Sequence, residues 1–180
     1  MVYRFLLLSD ETDSFKREIQ ISSQASFLDF HDEILKTTGF DPNQLYLFYI
    51  CGDDWRIQTE VTQIEMDTSS EVDNYKMEDT YLEDLLTDEH QKLLYVFDQL
   101  NERSLFIQLR EIITGKELIA PVCTLSTGNP PQQFVNYDLT ADNLNTDFDD
   151  KFYGDDEYDD EELDGLNKGS FDDEFPDELF

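Results

Sequence analysis

Basic residues are scarce in this chain. Only 12 Lys and Arg stand against 43 Asp and Glu in 180 residues, a formal net charge of −31. That scarcity argues against direct nucleic-acid binding, which rests on Lys and Arg neutralising phosphates. It argues equally against anionic membrane surfaces. Long apolar runs are missing too: no stretch of 18 apolar residues exists, so no helical membrane span is expected. The first apolar run, Phe5 to Leu8, is short, and Asp10 and Glu11 follow at once. No secretory leader is expected there, and the reading is a cytoplasmic protein. Cysteine is limited to Cys51 and Cys123, neither in a C-x-x-C pair. A zinc or redox motif is therefore absent, and both thiols are expected reduced and buried. There is no Gly-rich phosphate loop and no G-x-S-x-G elbow. Nothing implies a cofactor or a metal. Asp147 to Tyr158 invites comparison with a calcium loop, but counting from Asp149 puts Lys151 and Tyr153 where oxygen ligands belong.

What the chain does have is strand pattern. Lys92 to Ile112 reads as a β-hairpin around which the rest is organised. Leu93, Tyr95 and Phe97 alternate on one arm, and Leu105, Ile107 and Leu109 on the other. Period-two alternation places them on one face of each strand. A lone hairpin is marginal in water, so this one must lie inside a larger sheet. Val2 to Leu8 and Phe15 to Ile21 predict a second hairpin, with Arg17 snorkelling at a sheet edge. Gln44 to Cys51 is a nearly continuous apolar run, predicted to be a buried central strand. Trp55 to Val61 would pair with it, the only Trp packing in the core.

One helix is clear. Ser26 is a cap candidate with Asp29 three residues on, Phe27, Phe30, Ile34 and Leu35 form an apolar stripe, and Gly39 suits the end. His31 lies near that stripe and reads as a packed helix residue rather than a ligand. Glu65 to Asp79 reads as a polar surface excursion. Thr80 is expected to cap a short helix over Tyr81 to Leu86, with Glu83 as its reciprocal partner. His90 falls in a charged turn. Pro121 to Pro131, with three Pro and one Gly, is excluded from a helix or a central strand and is expected to be an ordered loop or the exit of the domain.

From about Asn136 the composition shifts. Residues 136 to 180 hold 18 acids and 2 bases, interleaved with isolated aromatics: Phe148, Phe152, Tyr153, Tyr158, Phe171, Phe175 and Phe180. Like-charge repulsion opposes compaction, so a disordered acidic tail is expected. The aromatics make it a candidate ligand for a basic protein.

The order of segments resembles the plasmid pRiA ORF-three-like family, also labelled an insertion-element passenger or TnpR-like family. VYRFLLL and FKREIQI are similar to its first two strands, and LDFHDEI with TTGF to its L-x-x-L-H-x-x-I…G-[WF] helix. QLYLFYICGDDW resembles its H-L-Y-x-F-x-I-x-G segment, with Gln44 in place of His. YLEDLL with KLLYVFD, and PVCTLSTGNPPQQ, are similar to later blocks. The family's main hairpin carries D-F-G-D-x-W-x-H. Here only Asp98 remains, with Gln99, Leu100, Asn101, Arg103 and Leu105 at the other places, and Gln132-Gln133 close the last block where the family has an acidic pair. The resemblance implies a shared fold and no inherited catalytic site.

The expectation is thus one α+β domain over residues 1 to 135, an antiparallel or mixed sheet packed on one main helix with a β-grasp-like opening. A disordered acidic C-terminal tail, residues 136 to 180, would follow. The function expected is a non-enzymatic protein-interaction module. Two alternatives are a nucleic-acid-mimicking inhibitor of a DNA-binding protein and a degenerate enzyme. An enzyme would require His31, Trp55 and Asp98 to converge in one pocket.

Overall fold

The structure, a computed structural model, describes residues 1–64 and 73–134. Ten elements follow in chain order: β1 (Val2–Leu8), β2 (Lys16–Ser22), α1 (Phe27–Thr38), β3 (Leu47–Cys51), β4 (Ile57–Thr62), β5 (Asp73–Lys76), α2 (Leu82–Leu85), β6 (Lys92–Asp98), β7 (Arg103–Ile113) and β8 (Val122–Thr127). The eight strands make one mixed sheet in the order β5-β4-β3-β6-β7-β1-β2-β8. All neighbours are antiparallel except β4 and β5, which are parallel. The β6–β7 hairpin is therefore the centre of the sheet. The hairpin–helix–strand opening is present in chain order, but β6 and β7 stand between β3 and β1 in the sheet. No helix among the described residues is long and apolar enough to cross a membrane.

α1 lies over one face of this sheet. The Ser26 hydroxyl accepts from the Asp29 N–H at 3.1 Å while the Asp29 carboxylate accepts from the Ser26 N–H at 2.8 Å, a reciprocal cap. Two further N–H groups at the helix start, of Phe27 and Leu28, donate to the carbonyls of Thr80 and Met77. Gly39 ends the helix at φ 73°, a left-handed conformation that a side chain would strain. Phe27, Phe30 and Ile34 are fully buried against the alternating set Phe5, Phe48, Leu93, Tyr95, Leu105, Ile107 and Leu109. Phe30 stacks between Phe5 at 4.5 Å and Phe48 at 5.5 Å.

Several expectations from sequence are corrected. Arg17 does not snorkel at an edge, because β8 covers β2. The side chain is buried, over the Phe15 ring at 4.6 Å, and donates to the carbonyls of Thr37, Lys16, Thr127 and Gly128. Thr37 is in the last turn of α1, where unpaired carbonyls favour a cation. β8 itself lies within the Pro-rich segment expected to be a loop. Pro121 and Pro130-Pro131 fall outside it, so the strand's own donors stay available, and it takes an edge position. Part of the expected excursion, Asp73–Lys76, is strand β5; residues 65–72 lie outside the described residues. The short helix begins one residue later than expected: Asp84 receives the Tyr81 N–H, Thr80 donates to the Lys76 carbonyl, and Glu83 receives the Ser23 hydroxyl. Cys51 is buried, but Cys123, on the edge strand, is only partly covered.

Candidate interaction face

The three side chains that an active site would have required are dispersed. His31 is on the inward side of α1 and almost fully buried, in a closed polar network. Gln63 holds the key. Its Oε1 accepts the Tyr46 N–H at 2.9 Å, which turns its amide nitrogen toward His31 Nε2 at 3.0 Å. That ring nitrogen must accept, so the proton of the neutral imidazole sits on Nδ1, 2.8 Å from the Tyr95 hydroxyl. The Tyr46 hydroxyl donates to the Asp41 carbonyl at 2.6 Å and accepts from Gln133 Nε2 at 2.8 Å. Burial pushes the His31 pKa down, opposed by the Asp32 charge, and burial pushes Tyr46 and Tyr95 up. The network is neutral and satisfied, and it joins α1, β6, the ends of β3 and β4, and the exit segment at Gln133. It offers no base to solvent.

Asp98 orders the β6–β7 turn. Its carboxylate accepts from the Asn101 backbone at 3.2 Å and side chain at 2.7 Å, with Arg103 at 3.6 Å. Burial pushes its pKa up, but these hydrogen bonds and the guanidinium outweigh that and hold it below the usual value. Arg103 is the hub of this end. It forms a two-pronged pair with Glu11 at 2.8 and 2.7 Å and donates to the carbonyls of Gln132 and Gln133. The glutamines in the position of the family's acidic pair thus serve as backbone acceptors and, through Gln133, as part of the His31 network.

Trp55 is not in the core. It is 38% exposed, in the turn between β3 and β4, at φ 64°. A bulky residue in that left-handed region is an outlier. Its ring meets Phe106 edge-on at 5.1 Å and carries the Lys92 ammonium 5.1 Å from its centre. Both lie on the face of the sheet opposite α1. The expected tail aromatics, Phe148, Phe152, Tyr153, Tyr158, Phe171, Phe175 and Phe180, lie outside the described residues.

Trp55 thereby marks a face that sequence reasoning did not anticipate. Cross-strand pairing puts Leu8 opposite Phe106, Phe106 opposite Leu94, Leu94 opposite Tyr49, and Cys51 opposite Ile57. These residues form an apolar band over five strands. Leu8 and Ile57 are exposed, and Tyr49, Leu94 and Phe106 are half-buried. Two depressions lie in it, about 160 Å³ around Leu8, Trp55, Phe106 and Lys92, and about 520 Å³ around Tyr49, Ile57, Leu94 and Glu102. The signal was in the sequence. LFYIC, KLLYVFD and SLFIQL are apolar at both parities, a pattern that calls for cover on two sides, whereas among the described residues α1 supplies it on one. Cys51 sits at the foot of this face, its thiol pushed up to about 11 by burial against the opposing influence of the Leu94 backbone and Lys92, so it is no nucleophile at neutral pH. No group of three or more metal-ligating side chains occurs among the described residues.

Comparison with known proteins places the chain in a family. The model for plasmid pRiA4b ORF-3-like protein matches residues 3–177, and the chain belongs to that family. Among solved structures, a protein of unknown function from Methanosarcina mazei Go1 is similar over 69% of this chain and 68% of its own, at 19% identity and a TM-score of 0.50. That likeness is one of fold. No curated protein matches.

Proposed function

We propose that this plasmid pRiA4b ORF-3-like protein is a non-enzymatic interaction module of the cytoplasm, its folded part a scaffold and its acidic segment, residues 136–180, the ligand for a basic protein. The observation that carries this reading is the dispersal of His31, Trp55 and Asp98. One is locked in a neutral core network, one lies on the opposite side of the sheet, and one is spent on a turn. Eighteen acids in the last 45 residues, spaced by aromatics, offer a basic surface both charge pairs and apolar anchors. The −31 charge also favours a second reading, a nucleic-acid mimic that occupies a DNA-binding protein.

The test uses the full chain and a variant with the acids between Asp155 and Glu162 changed to Asn and Gln as paired baits in a native lysate. The expected result is a basic partner held by the full chain, released by high salt, and lost from the variant. A partner held equally by both baits would overturn the assignment to the acidic segment. DNA added in competition separates the two readings: displacement of the partner by DNA selects the mimic.

A further inference from the structure

We infer that the depression around Trp55, on the sheet face opposite α1, is a docking site for an acidic peptide that carries aromatic or large aliphatic anchors. This is a second binding surface, of opposite preference to the acidic segment, and it stands on separate observations. Its floor is apolar: Leu8, Trp55 and Phe106 enclose about 160 Å³ of open space. Its rim is cationic, with Lys92 and Arg110 lining it and Lys16 opposite Leu8 across the β1–β2 pair.

Charge complementarity names the occupant. Among the described residues Arg4, Lys36, Arg56, Lys76 and Arg103 each have a carboxylate within 4 Å, and Arg17 is enclosed by carbonyls. Lys16, Lys92, Arg110 and Lys116 form no such pair among the described residues. Apart from Arg17, these four are the Lys and Arg among the described residues with no carboxylate within 4 Å, and their side chains meet only neutral groups. Arg110 donates to Gln108, Lys116 to Gln20 and Lys92 to the Asp53 carbonyl. Gln20 and Gln108 flank Leu6 and Arg4 on the same sheet face, by pairing. Acids also share this face: Glu111 pairs with Arg4, Asp54 beside Trp55 pairs with Arg56, Glu18 accepts from the Thr124 hydroxyl, Glu60 stands opposite Tyr49, Glu102 lies beside the other depression, and Asp53 gives its carbonyl to Lys92.

The global charge does not forbid this. Screening cuts exposed interactions off beyond about 8 Å at physiological salt, so a bound peptide feels Lys92 and Arg110 at contact and the distant acids hardly at all. The backbone adds a second sign. Trp55 is held in a left-handed conformation that costs free energy, in a turn closed by its N–H to the Gly52 carbonyl, and its ring stays partly exposed. The strained turn places the chain's only Trp over Phe106 and beneath the Lys92 ammonium, an aromatic surface with a cation at its edge.

The same Trp reports the test. The full chain is titrated with a twelve-residue peptide of alternating Asp and Phe, and with two controls, one with Lys for Asp and one with Ser for Phe. The expected result is a saturable blue shift of Trp55 emission with the acidic aromatic peptide alone. The affinity should fall at least tenfold in Lys92→Glu/Arg110→Glu, whose far-ultraviolet circular dichroism matches the parent. An equal response to the basic peptide, no saturable response, or undiminished affinity in the charge-reversed variant overturns the site. Saturation that tracks protein concentration without peptide would instead identify a second copy as the occupant, and would equally overturn it. None of these outcomes bears on capture of a basic protein by the acidic segment, so the two readings fail separately.

Discussion

His31 shows how one side chain can be committed to structure by its neighbours. Gln63 donates to Nε2 because its oxygen is already taken, so a second ring proton would face an amide N–H. Protonation therefore costs free energy, in line with the lowered pKa. Because the folded value lies below the ordinary 6.5, the unfolded chain takes up the proton first. Stability is full above pH 6.5 and falls as the pH drops toward the folded value. Thermal unfolding of the parent is expected to show this loss as the pH falls below 6.5, and His31→Gln should flatten that part of the profile; an unchanged profile would contradict the network. Cysteine gives a second residue-scale test. Iodoacetamide at pH 7.5 is expected to modify Cys123, partly covered on the edge strand, well before Cys51, which is buried with a raised pKa. Peptide mapping after a time course checks the order.

Among the elements, α1 and the strands it covers were readable from sequence because their cues are local: Ser26 with Asp29, a stripe at helical spacing, Gly39, and alternation in β6 and β7. The element-level misses share a cause, which is that their cues are not local. β8 was hidden because Pro content suggested a loop, while the deciding fact is which N–H groups β2 leaves open. Arg17 looked like an edge residue because only tertiary structure brings Thr37, Thr127 and Gly128 to it. Arg17→Met should cost about 3 kcal/mol, since it strips several buried carbonyls of a charged donor at once. Gly128→Ala should cost at least as much as an ordinary core truncation: it sits at φ 66°, and a Cβ would clash with the Ser14 backbone oxygen. Urea unfolding of both variants reads these values. A loss below about 1 kcal/mol in both would show that the β8 edge is not held as described.

Among the described residues, the sheet has one face covered by α1 and one that carries no helix. Phe30→Ala, on the covered side, is expected to cost about 3–5 kcal/mol because the ring sits between Phe5 and Phe48. Phe106→Ser, on the open side, should cost much less and act on binding instead. The sequence showed the two-sided apolar character of the central strands but not which side α1 would cover, since that depends on tertiary packing rather than on any one residue. It likewise displayed His31, Trp55 and Asp98 without showing that they face three different environments. The most direct test is site-specific photocrosslinking in the native cell, with a photoreactive phenylalanine at Phe106, at Tyr158, or at exposed Asp32 on the outer side of α1 as control. The expected result is discrete protein adducts from positions 106 and 158, with the partner at 158 basic, and none from 32. Bare lanes at both test positions, or the same adducts from all three, would contradict an interaction module.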